Sequence, residues 1–330
     1  MSEQALLERL AARTSGPVRA HESLAAHTTL RVGGPAAAFV RAETADDLVA
    51  VAELCAEHDR PWLVLGRGSN LLIADSGWPG VVVTLGRGFR GVDVDPAAAG
   101  SDPEVAVAAG AAEPMPSLAV TVADQGLGGL AFGVAIPGSL GGAVRMNAGA
   151  HGRELRDVLE SAEVVRLACG GVRQRLSRDQ LAMGYRHTAL PPDAVVVRAR
   201  LRLRRTDPAT LAAEMAEMRR WRRAHQPISE PSCGSVFRNP DQDSAGRLIE
   251  AAGMKGYRVG GARVSDVHAN FITAEPHATA ADVRQVIGDV QRVVARRQGV
   301  WLRTEVVLAG FADEPPEDPP WGRDTGRDAG

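Results

Sequence analysis

A chain of 330 residues with 45% hydrophobic and 24% charged residues has the composition of an ordinary soluble globular protein and enough length for two or three real cores. A net charge of -2 gives no electrostatic reason to expect nucleic acid or an anionic membrane as a partner, and Lys255 is the sole lysine among many arginines. Cys55, Cys169 and Cys233 lie far apart with no C-x-x-C spacing, so neither a zinc site nor a disulfide framework is suggested, and no metal is expected.

The N-terminal MSEQALLERLAAR is amphipathic, carries acids and lacks an apolar signal core, so residues 1–27 read as a helix and a linker of a cytoplasmic protein. Residues 43–61 form a strong amphipathic helix pattern, with Thr44 and Asp47 spaced as a capping box and Pro61 beyond the end. Short strands are expected at 62–65, 81–86 and 104–110, and a helix at 114–126 with proline near its start. After a glycine-rich stretch at 135–152, the segments 160–167, 170–177 and 194–203 alternate as antiparallel strands do. A long helix follows at 206–226, with Asp207 and Pro208 at its start. Helices at 244–253 and 279–299 and a last strand at 301–311 complete the pattern. The proline- and acid-rich residues 312–330 are expected to be a disordered tail.

Two glycine-rich segments stand out, GRGSN (66–70) and PGSLGG (137–142). Glycines let backbone approach a ligand closely, and successive N–H groups can form an anion-binding nest, so together the two could grip one diphosphate from two sides. Ser69, Asn70, Ser139 and Asn147 add polar groups. Neither a P-loop nor a complete Rossmann fingerprint is present.

Seven ordered blocks then carry a resemblance: HTTLRVGGPA (27–36), LGRGSNLL (65–72), IPGSLGGAVRMNAGAHG (136–152), GYRHTAL (184–190), GSVFRNP (234–240), AGMKGYRVGGARVSDVHANFI (252–272) and LRTEVVL (302–308). Across roughly 28–311 the chain closely resembles the UDP-N-acetylenolpyruvoylglucosamine reductases. The resemblance implies an α+β architecture: an FAD-binding fold of the vanillyl-alcohol oxidase type at 28–226, then a smaller substrate-binding domain at 227–311. Only about fifty residues separate GYRHT from GSVF, which leaves no room for the mobile-tyrosine insertion of the family's longer class.

The implied reaction passes a hydride from NADPH to FAD and then to the terminal methylene of UDP-N-acetylglucosamine enolpyruvate, giving UDP-N-acetylmuramate for peptidoglycan synthesis. An enol ether resists hydride, so its carboxylate needs fixed positive charge where negative charge develops. The resemblance gives that task to Arg186, whose planar fork suits a carboxylate. It gives proton donation to Ser235 and polarisation of the enolpyruvyl group to Glu305, for which a raised pKa and a bound proton are expected. FAD is expected at Gly66, Gly68, Ser69, Asn70, Leu71, Ile136, Pro137, Gly138, Ser139, Gly141, Gly142, Asn147 and Gly149. Tyr185 and Asn239 are expected to help Arg186 hold the substrate. His151 and His187 read as structural or surface residues. The chain is expected to act as a monomer. Two other readings compete: another FAD oxidoreductase of the same fold, and a flavin- or nucleotide-binding regulatory protein without catalysis. The presence of Arg186, Ser235 and Glu305 together argues against both.

Overall fold

The computed structural model describes residues 2–94 and 103–312; of the tail expected at 312–330, all but the first residue lies outside the described residues. The chain divides into two compact units. The first comprises 1–23, 35–69 and 78–224, and the second 24–34, 70–77 and 225–330. The change of unit at 224–225 falls beside the boundary read at 226. The early segments 24–34 and 70–77, however, belong with the C-terminal part.

The first unit opens with α1 (Glu3–Arg13), which buries Leu6 and Leu10. The stretch read as a linker contains β1 (Val18–Ser23), an edge strand paired antiparallel with β2 (Pro35–Ala42). α2 (Ala45–Glu57) starts where its sequence predicts: Thr44 accepts from the Asp47 N–H, and Asp47 accepts from Thr44 in return. Then come β3 (Trp62–Val64), β4 (Leu71–Ile73) in the second unit, and β5 (Trp78–Leu85). The sheet runs β1-β2-β5-β3, with β5 parallel to both its neighbours.

A second sheet of this unit is built from β6 (Val92–Val94), β7 (Glu104–Gly110) and later strands. Between them lie α3 (Met115–Ala123), β8 (Leu127–Gly128), α4 (Leu140–Met146) and the small hairpin of β9 (Gly149–Ala150) and β10 (Arg153–Glu154). β11 (Leu159–Arg166), β12 (Val172–Ser177) and β13 (Ala194–Arg205), antiparallel as their alternation predicts, continue antiparallel into β7 and β6 to give the order β12-β11-β13-β7-β6. β13 shows how residue pattern reports burial. Val195 and Val196 pack into separate cores, so both faces are covered there. Farther on, Ala199, Leu201 and Leu203 stay buried while Arg198, Arg202 and Arg204 pair with Asp93, Glu160 and Glu104. α5 (Pro208–His225) closes the unit, its Thr210 N–H held by Asp207.

In the second unit, α6 (Ala245–Ala251) is followed by β14 (Arg258–Val259), β15 (Ala262–Val264) and β16 (Ile272–Ala274) in one antiparallel sheet. α7 (Ala280–Gln298) has a Thr279–Asp282 capping box and ends at Gly299 with φ 67°. It buries Val283, Val286, Ile287, Val290 and Val294, a stripe at helical spacing. The last strand, read as 301–311, is only β17 (Val307–Ala309), which pairs parallel with β4. The reason lies one step earlier: the N–H groups of Glu305 and Val306 both reach the carbonyl of Val236, so no regular ladder can form there. Among the described residues, no helix is long and apolar enough to cross a membrane.

Candidate active site

In the first unit the two glycine-rich segments face each other. The Arg67 Nε–H donates to the Pro137 carbonyl at 3.0 Å. A Cβ on Gly66 would lie 2.7 Å from Ser139 Oγ, and one on Gly138 would lie 3.3 Å from Ser69 Oγ. Bare backbone is therefore required on both sides of the approach, the condition for a cradle that admits a phosphate-bearing ligand. The second segment is pinned from behind, with the Met115 N–H on Gly138 and the Leu140 and Gly141 N–H groups on Glu113 and Ala111. Gly141 thus serves packing: its added Cβ would sit 3.1 Å from that of Ala111. Ser139 is buried and caps α4, while Gly142 is exposed. Ile136 and Pro137 are half-buried and Gly68 has φ 59°.

α4 ends at Asn147, a fully buried residue with φ 42°. Its amide is committed inside the protein. Nδ2 donates to Glu154 Oε2 (3.0 Å) and to the Gly184 carbonyl (2.8 Å), and Oδ1 accepts from the Arg156 N–H (3.0 Å). Asn147 thus joins the glycine-rich segment to the turn Gly184–His187, whose ends exchange backbone hydrogen bonds at 3.0 and 3.1 Å. Arg186 sits in that turn with φ 52°, a left-handed conformation that costs a non-glycine residue about 1–2 kcal/mol. Its Nη2 donates to the Gly149 carbonyl at 3.1 Å, its Nη1 lies 4.0 Å from Glu154 Oε1, and its guanidinium stands 5.0 Å from the centre of the Tyr185 ring. Gly149 must be glycine, since a Cβ would meet the Arg153 carbonyl at 2.5 Å. Behind the turn, the Thr188 hydroxyl donates to the Arg145 carbonyl, and the Arg145 guanidinium donates to the carbonyls of Pro191 and Ala194. Burial lowers the pKa of that guanidinium, with Asp193 acting in the opposite sense. His151, at the tip of the β9–β10 hairpin, packs edge-on against Trp221, and His187 is exposed.

The second unit presents Ser235 differently. Gly234 has φ 76° with nothing within 4 Å of a would-be Cβ, so conformation, not space, demands glycine. The next two residues are held by Asn270, which is buried. Its Oδ1 accepts from the Phe237 N–H (2.9 Å), its Nδ2 donates to the Phe237 carbonyl (2.8 Å), and its own carbonyl accepts from Val236 (2.9 Å). One side chain does what a strand partner would do. Burial, reinforced by Lys255, lowers the His268 pKa, and its Nδ1 accepts the Asn270 N–H. Opposite, the Glu305 N–H donates to Val236 at 2.8 Å, and Thr304 bridges Phe237. Within this unit, which begins a segment at Asn70, Asn70 Nδ2 donates to the Glu305 carbonyl at 3.1 Å. Leu71 is core in β4. Ser235 and Glu305 are both half-buried, where a buried strand carboxylate was expected for the latter. Asn239 is exposed and accepts the Ala245 N–H at the start of α6. Burial pushes the Cys233 thiol up to about 12.

Of the residues that set this geometry, sequence reasoning passed over Glu154 and Arg145, and it placed Asn270 in the 252–272 block without giving it a role. A signal existed for Asn270: an amide between Ala269 and Phe271–Ile272 in an apolar run has to find partners.

The facing glycine loops suit a phosphate-bearing ligand, and a family match makes this a flavin-binding protein. Residues 36–174 match the family of FAD binding domains, and residues 226–309 match the UDP-N-acetylenolpyruvoylglucosamine reductase C-terminal domain. The UDP-N-acetylenolpyruvoylglucosamine reductase of Halalkalibacterium halodurans is 40% identical over 92% of this chain and 98% of its own length. That of Parasynechococcus marenigrum is 44% identical over 93% and 99%. The crystal structure of the Thermus caldophilus reductase superposes with a TM-score of 0.74 at 36% identity, covering 89% of this chain and 98% of that one. The chain belongs to the UDP-N-acetylenolpyruvoylglucosamine reductase family.

Proposed function

We propose that this enzyme reduces UDP-N-acetylglucosamine enolpyruvate to UDP-N-acetylmuramate, an NADPH-dependent step of peptidoglycan precursor synthesis. The residues present suit FAD: Gly66 and Gly138 keep bare backbone where the two loops approach each other, as a closely held phosphate requires. The chemistry supplied by bound FAD is hydride relay, from NADPH and then to the methylene carbon of the enolpyruvyl group. The protein's own residues deal with the charge and the proton.

Hydride addition leaves an electron pair shared with the substrate carboxylate. Arg186 binds that carboxylate and balances the developing charge, with Tyr185 supporting its guanidinium. Ser235 Oγ–H gives its proton to the neighbouring carbon, which completes the reduction. Glu305 polarises the enolpyruvyl group and carries a proton, because a bare carboxylate would repel the intermediate. Asn239 contacts the nucleotide-sugar, whereas Asn147, its amide already committed, acts by position. The enzyme works as a cytoplasmic monomer.

The observation that carries this reading is Arg186, a cation kept on a strained backbone by partners on three sides. Anaerobic absorption spectroscopy tests it. The visible flavin band should bleach with NADPH and recover on adding the enolpyruvyl substrate. A protein that takes up no FAD, or a bleached enzyme that the substrate does not reoxidise, overturns the assignment.

A further inference from the structure

We propose that Glu154 is the positioning residue of the substrate arginine. This deepens the reading above and rests on Arg186 receiving the substrate carboxylate. Glu154 is largely buried, with 17% of its side chain exposed, and its two oxygens face different tasks. Oε2 accepts from Asn147 Nδ2 at 3.0 Å and from Arg156 Nε at 2.8 Å. Oε1 faces Arg186 Nη1 at 4.0 Å, close enough for attraction but beyond hydrogen-bond reach. Glu154 itself is fixed by its pairing with Gly149 in the β9–β10 hairpin and by its N–H, which donates to Asp157 at 3.0 Å.

The consequence is a closed circuit. Glu154 holds Asn147, Asn147 holds the Gly184 carbonyl at the start of the turn, the turn presents Arg186, and Arg186 returns to Gly149, the cross-strand partner of Glu154. A left-handed arginine persists only where its surroundings over-determine it, and this circuit does so. The 4.0 Å spacing has its own purpose. A carboxylate held by Asn147 and Arg156 at that distance orients the guanidinium through charge and not through a bidentate hydrogen-bonded pair.

The test is a double-mutant cycle on the FAD-loaded enzyme, followed by stopped-flow reoxidation of the NADPH-reduced flavin by the enolpyruvyl substrate. Glu154→Ala should lower kcat/KM for reoxidation about 10²-fold, since a misplacement of about 1 Å costs that much. Bleaching by NADPH should stay within about twofold of the parent, because Arg186 is assigned to the substrate half-reaction alone. Glu154→Gln, which keeps an acceptor for Asn147 and Arg156 but loses the charge, should lose about tenfold, and it closes the cycle if the alanine variant fails to fold. In an Arg186→Ala background either Glu154 change should cost nothing further, the signature of acting through Arg186. A parental rate for both Glu154 variants, or losses that multiply in the double mutant, overturns the positioning role while leaving the function intact. Full reoxidation by Arg186→Ala overturns the functional reading and this inference with it.

Discussion

The turn that carries Arg186 and the turn that carries Ser235 solve one problem in opposite ways. Both need a left-handed residue. Beside Ser235 the positive φ falls on Gly234, which adopts it freely and in open space, so the chemical side chain stands on the next residue with ordinary backbone. At the other turn the positive φ falls on Arg186 itself, where glycine would remove the guanidinium. The first solution needs only a backbone clamp, which Asn270 supplies. The second needs a circuit of side chains. Strain kept at the chemical residue, when a glycine one place away would relieve it, marks where the side chain's position matters most.

Arg186→Gly should separate the two turns most strongly. It removes the strain together with the charge, so the variant should fold with stability within about 1 kcal/mol of the parent. Reoxidation by the enolpyruvyl substrate should fall by about 10³-fold or more, as for loss of a transition-state charge partner. A variant that unfolds would show that the guanidinium is structural. At the other turn, Ser235→Ala should leave NADPH bleaching intact and slow turnover by about 10²–10⁴-fold, the usual worth of a positioned proton donor. Turnover at the parental rate would remove Ser235 from the mechanism.

Asn270→Ala comes next. It strands the N–H and the carbonyl of Phe237, both buried, and should cost about 3 kcal/mol in chemical denaturation, each orphaned group contributing roughly 1–3 kcal/mol. A loss below about 1 kcal/mol would mean that the clamp is redundant. Gly66→Ala probes the cradle instead. Its Cβ would meet Ser139 Oγ at 2.7 Å, so FAD should bind about tenfold more weakly by fluorescence titration, or about 1.4 kcal/mol. Gly234→Ala, strained but unobstructed, should cost about 1 kcal/mol of stability, and a larger loss would mean that a steric contact opposes it after all.

How much of this was legible in the sequence depends on the range of the interaction. Capping at Thr44, Asp207 and Thr279 is settled within four residues, and β13 and α7 announce their burial by period alone. Segments 24–34 and 70–77 carry no such mark: their membership of the second unit rests on pairings such as β4 with β17, more than two hundred residues away. The apolar alternation of 301–311 suggested one strand, and two N–H groups sharing the Val236 carbonyl cut it short. In the site, ordered motifs pointed to Arg186, Ser235 and Glu305, since side-chain chemistry is written in residue type. The commitment of the Asn147 amide and the role of Glu154 are written only in distances, whereas for Asn270 residue type already demands partners and the distances name them.

Each of the two units also buries one thiol, and their titration gives the smallest expected effect. Burial pushes Cys55 and Cys233 up to about 12, whereas an unfolded cysteine ionises near pH ~8.5. Between these values the unfolded chain has lost protons that the folded chain retains, so stability falls as pH rises. The contribution is fully present below pH ~8.5 and is lost progressively toward about pH 12, amounting at pH ~9 to about 0.8 kcal/mol per thiol. Denaturation at pH ~7 and ~9 should show this slope, and Cys233→Ala should remove about half of it. A thiol reagent applied to the folded protein should modify Cys169, which is exposed, and spare the other two. Rapid labelling of Cys233 in the folded enzyme would reveal that the Gly234–Ser235 turn opens, and the contrast between a freely adopted turn and a strained, tethered one would then have to be drawn in dynamics as well as in conformation.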